Sequence, residues 1–62
     1  MKSPSKEEVR EARTSLSLTQ EAAGKLINVS RKTWVKYESG ERNMHAAFWE
    51  LFQMKTDAIR EG

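Results

Sequence analysis

The chain has 62 residues, with 11 Lys and Arg against 9 Asp and Glu, one His, no Cys and a net charge of +2. A length near the lower limit for one hydrophobic core leaves room for a single domain over residues 1–62, with any function carried on its surface. The lack of Cys removes disulfides, thiolate metal sites and thiol catalysis. No apolar run approaches the ~20 residues of a membrane span and the start has no apolar signal core, so a soluble, cytoplasmic chain without a membrane is expected.

So small a net charge says little about nucleic acid, and the distribution of charge carries the argument. Between Ser30 and Tyr37 lie Arg31, Lys32 and Lys36 with no acid among them, whereas Glu7, Glu8 and Glu11 crowd the beginning.

Gly occurs only at 24, 40 and 62 and Pro only at 4, and no strand-like alternation of β-branched residues is present, which predicts an all-α chain. The first helix should start after Ser3 or Ser5, because Ser5 with Glu8 three residues on is a capping-box pattern; it carries Val9, Ala12 and Leu16 and ends near Ser15 to Ser17. Thr19 is the natural cap of a second helix over residues 20–27, with Ala22, Ala23, Leu26 and Ile27 facing inward. Asn28 falls where the chain must turn and tolerates a left-handed conformation. Ser30 then caps a third helix over 31–38, which stops at Ser39-Gly40. A fourth helix, about 45–55, has Phe48, Leu51, Phe52 and Lys55 at core spacing and continues, frayed, through Ile59. The expected core is Val9, Leu16, Leu18, Leu26, Ile27, Val29, Trp34, Met44, Phe48, Leu51 and Phe52.

Two short one-faced helices joined by about three residues make a helix-turn-helix, in which residues 20–27 brace residues 31–38. Close approach of the pair needs a small residue midway along the first helix, and Ala23-Gly24 supplies it. Asn28-Val29 supplies the positive φ and the apolar residue of the turn. Trp34 and Tyr37 point inward and are expected to be buried rather than to stack on bases. The opposite face projects Arg31, Lys32, Val35 and Lys36, whose cations can reach guanine O6 and N7 or a phosphate. An isolated basic trio on a surface helix is usually only a solvated face; its place in this spacing reverses those odds.

The runs Leu18-Thr19-Gln20-Glu21-Ala22-Ala23, Val29-Ser30-Arg31-Lys32-Thr33 and Tyr37-Glu38-Ser39-Gly40-Glu41-Arg42 resemble the Cro and phage-repressor helix-turn-helix family over roughly residues 9–55. The resemblance implies a compact four- to five-helix bundle of the lambda-repressor-like type. It implies base contacts from Arg31, Lys32 and Lys36, and backbone contacts from Gln20, Ser30, Thr33, Arg42 and Asn43, with Gln20 also buttressing helix three. It further implies an ion pair between Arg13 and Glu38. Gly24 stands where the family usually has Ala, and Asn28 where it usually has Gly; each is expected to weaken the motif by some tenths to about 1 kcal/mol. Trp34 takes a site that more often holds Ile or Val, and the usual fifth helix is short or missing. The placement extends to small regulators of phages and mobile elements.

His45 has no second His and no Cys beside it, so it is read as a surface or capping residue; no metal and no cofactor are expected. No nucleophile motif occurs and catalysis is not expected. Trp49, Met54 and Ile59 lie partly off the core face of the last helix, and this surplus apolar surface predicts a homodimer through Trp49, Phe52 and Ile59. The resulting expectation is a repressor that binds an inverted-repeat operator in double-stranded DNA as a homodimer. The competing reading is an antitoxin or adaptor that docks a protein partner through its last helix.

Overall fold

A computed structural model of the chain describes residues 2–61, with side chains described through residue 59. Four helices follow one another, α1 (Lys6–Thr14), α2 (Gln20–Leu26), α3 (Arg31–Ser39) and α4 (Ala46–Glu61), and the described residues contain no strand. The fold class is all-α, a helical bundle. None of the helices is long and apolar enough to cross a membrane among the described residues.

The first three helices open on side chains that satisfy the free N–H groups of a helix start. Ser5 Oγ accepts from the Glu8 N–H at 3.1 Å while Glu8 Oε1 accepts from the Ser5 N–H at 3.0 Å, a complete capping box. Thr19 Oγ1 accepts from the Ala22 N–H at 3.0 Å, and Ser30 Oγ from the Thr33 N–H at 3.2 Å. Before α4, His45 plays a similar part, its Nδ1 accepting from the Ala47 N–H at 3.0 Å.

The turns after α1 and α2 share one design. Asn28 sits at φ 60°, the Val29 N–H donates to Gly24 O at 2.9 Å and the Asn28 N–H to Lys25 O at 3.3 Å. Ser17 sits at φ 57°, with the Leu18 N–H donating to Arg13 O at 3.2 Å and the Ser17 N–H to Thr14 O at 3.0 Å. Both are Schellman closures, in which a left-handed residue lets two N–H groups return to the last carbonyls. Gly40, at φ 83°, ends α3.

Gly24 is the small residue that the close approach of the two helices calls for. A Cβ at this position would stand 2.8 Å from Val29 O and 3.3 Å from Ser30 O, so a side chain here requires the turn into α3 to shift.

Val9, Ala23, Ile27, Trp34, Tyr37, Met44 and Phe52 form the buried core. Trp34 is at its centre, with ring centroids 5.0 Å from Phe52 and 6.2 Å from Tyr37. α2 and α1 both pack on α3, and α4 closes against α2. Leu18, Leu26, Val29 and Leu51 lie half-buried at the edge of this cluster, and Leu16 is also half-buried. The rotation of α4 differs from the expected one. Phe48 is 39% exposed, whereas Trp49 packs on the core with its ring parallel to Phe52 at 6.1 Å. Thr56, rather than Lys55, continues the inward stripe, its hydroxyl satisfied by Gln53 O at 3.2 Å. Continuation of that stripe carries α4 to Glu61 as one helix.

Candidate nucleic-acid interface

α3 supplies the outward face. Its inward side is marked by buried Trp34 and Tyr37, so at 100° per residue Lys32 and Lys36 fall on the side away from the core, with Arg31 at its margin. Arg31 and Lys32 are exposed and Lys36 half-exposed, and the first turn contains no acid. Ser30 at the cap is exposed; besides accepting from Thr33, its hydroxyl donates to Thr33 Oγ1 at 3.1 Å, and Thr33 is half-buried.

The far end of α3 is anchored. Glu38, whose side chain is only 4% exposed, accepts from Arg13 Nε at 2.5 Å and Arg13 Nη2 at 3.1 Å, a bidentate pair. Arg13 Nη1 donates in addition to Leu18 O at 2.9 Å, so one guanidinium ties α1, the first turn and α3 together. Trp34 Nε1 donates to Glu38 Oε2, and Gln20 Nε2 to Glu38 Oε1 at 3.4 Å. Burial pushes the Glu38 carboxyl up, but hydrogen bonds from Arg13 and Trp34, the Arg13 charge and the Gln20 amide outweigh it and leave the pKa lowered.

The residues singled out in the sequence therefore fall into three groups. Arg31, Lys32, Thr33 and Lys36 share α3 with Ser30 at its cap, and Gln20, at the first turn of α2, is joined to that helix through Glu38. Arg42 and Asn43 are exposed in the loop after α3, and the Arg42 N–H donates to Lys36 O at 3.3 Å, which folds the loop back toward the second turn of the same helix. Trp49, Phe52 and Ile59 do not form one surface. Phe52 is fully buried against Trp34 and has nothing to offer a partner, Trp49 is half-buried on it, and Ile59 is 47% exposed. The exposed large apolar side chains of α4 are Phe48, Met54 and Ile59.

One functional connection was absent from the sequence reading. Trp34 was expected only as core, yet its indole N–H holds Glu38; the signal was the i,i+4 spacing together with the need of a buried indole for an acceptor. Gln20 is expected both at the DNA backbone and as a buttress of helix three, and its amide reaches Glu38 of α3. Among the described residues, no three His, Cys, Asp or Glu side chains gather so as to hold a metal ion.

Residues 7–52 match a family model described as a helix-turn-helix domain. A stretch of 43 residues, 69% of the chain, is 46% identical to part of the type II methyltransferase M.MspI of Moraxella sp. The chain spans about a tenth of that protein's length, the matched part being 10% of it.

Proposed function

We propose that this chain, which belongs to the helix-turn-helix domain family, is a sequence-specific DNA-binding regulator of the Cro and phage-repressor type, acting as a repressor by occluding a promoter. The observation that carries the reading is α3 itself, a helix tied down at its Glu38 end while its opening turns present Arg31, Lys32 and Lys36 without a neighbouring acid. Such a helix suits the major groove, where Arg and Lys reach guanine O6 and N7. Arg31, Lys32 and Lys36 read base edges in this proposal, and Gln20, Ser30, Thr33, Arg42 and Asn43 meet the backbone. The match to a methyltransferase segment fits a module carried by proteins of different length, and no methyl transfer or other catalysis is claimed for this chain.

A homodimer belongs to the same proposal, through the exposed apolar side chains of α4, where Phe48 and Ile59 share one side. Two recognition helices would then lie about one DNA turn, ~34 Å, apart, on an inverted repeat. The test is selection from a randomised duplex pool at near-physiological salt, with sequencing of the retained molecules. Enrichment of an inverted repeat with that spacing supports specific readout and the dimer together. No enrichment by the folded protein shifts the reading to a module that docks a protein partner through the same exposed side chains of α4.

A further inference from the structure

Val35 is the apolar member of an otherwise basic face. It lies one turn beyond Arg31 and Lys32 and next to Lys36, about 100° around the helix from Trp34 and therefore outside the buried stripe. It is half-buried, yet it is not among the half-buried apolar side chains that pack on the core, which are Ala12, Leu18, Leu26, Val29, Trp49 and Leu51. Helix formation does not call for it either, since a β-branched residue is less favourable there than Ala by several tenths of a kcal/mol. Nor does a valine add solubility or a hydrogen bond. Something apolar that meets this face would give it a use.

The major groove offers one kind of apolar group at a base edge, the methyl on C5 of a pyrimidine, which thymine always carries and cytosine carries when methylated. A short branched side chain flanked by longer cations fits that group, because Arg31, Lys32 and Lys36 reach past it to polar edges and phosphates while Val35 closes on the methyl. We infer that Val35 reads a pyrimidine C5-methyl group in the half-site and so sets specificity at one base pair. The inference rests on the groove-reading function proposed above.

The test uses duplexes carrying the selected site, with each thymine of a half-site replaced singly by uracil, which removes only the methyl, and each cytosine by 5-methylcytosine. Affinity is measured by fluorescence anisotropy for the wild type and for Val35→Ala, a substitution that favours the helix. At one position per half-site the wild type should lose about fourfold per methyl removed, the transfer worth of one methyl group. Val35→Ala should bind the methylated and unmethylated duplexes alike, while holding the unmethylated one about as well as the wild type does. A thymine source appears as a loss with uracil, a methylcytosine source as a gain on cytosine methylation. The absence of any methyl effect in the wild type, or its persistence in Val35→Ala, overturns the assignment and leaves DNA reading by the cations intact. Failure of the groove reading itself looks different: all duplexes, selected or random, bind equally.

Discussion

At its first turn α3 has a serine cap, two exposed cations and no acid, while at its last turn Glu38 is enclosed by Arg13, Trp34 and Gln20. α1 opens on the same kind of serine cap but follows it with Glu7 and Glu8, as the positive end of a helix dipole favours. Cations at a helix start cost typically 0.3–1 kcal/mol. α3 thus carries a local disadvantage at one end and a strong anchor at the other. The difference teaches that the anchor holds the helix in place and the open end keeps positive potential for an anionic partner, the pattern expected where a local rule is broken for function.

The largest effect should come from cutting the anchor. Glu38→Ala leaves the Arg13 guanidinium and the Trp34 indole without their acceptor, and breaking such a buried pair costs about 3 kcal/mol. Urea denaturation measures it, and a change under about 0.5 kcal/mol, within the range of ordinary surface substitutions, would contradict the anchoring role. At the open end the expectation reverses. Arg31→Ala or Lys32→Ala should weaken binding by ~1–3 kcal/mol at one base position while thermal stability holds or rises slightly, and Arg42→Ala should weaken all sequences alike. Equal losses on every sequence from all three variants would remove the distinction between base and backbone contacts.

Between the two ends lies the mount. Gly24→Ala gains up to ~1 kcal/mol of helix propensity but forces a methyl against Val29 O, an overpacking cost of ~1–3 kcal/mol, so a net loss of about 1 kcal/mol is expected in the melt. A gain in stability would show that the turn into α3 yields freely. The smallest effect is in pH. Glu38 is lowered from the ordinary value of 4.5 by the balance given above, and Glu8 by hydrogen bonds from the Ser5 backbone and then its hydroxyl. A carboxylate with a depressed folded pKa contributes stability that is present above the unfolded value and lost as pH falls through the folded one. Melting temperature should therefore be level from pH 7 to about 5 and fall below the ordinary glutamate range of ~4.3. Glu38→Gln should flatten that fall more than Glu8→Gln.

What was legible in the sequence was local. Ser5 with Glu8, Thr19, Ser30, Asn28 and Gly40 announce helix boundaries because each acts on backbone groups within a few residues. The rotation of α4 was not legible, since Phe48, Leu51 and Phe52 make as good a stripe as Trp49, Phe52 and Thr56. The choice between them is made by Trp34, which lies far along the chain and seats Phe52. Thr56 gave no sign of an inward position because its partner, Gln53 O, exists only once the helix has formed. For Gly24 the need of a small residue was legible, whereas the atom it must clear, the Val29 carbonyl of the next turn, was not. The basic face of α3 was visible because exposed cations need no partner within the fold, and the buttressing by Gln20 came only with the family resemblance, since Glu38 is 18 residues away and no local pattern marks the contact.

The hydrogen bond from Trp34 to Glu38 also turns the anchor into an optical reporter. Trp34 is sealed from water and donates to an anion, while Trp49 sits half in solvent. A soluble quencher should thus dim Trp49 and spare Trp34, and in Trp49→Phe the remaining emission should follow the charge on Glu38. The chain thereby registers, with no label attached, whether α3 is still fastened.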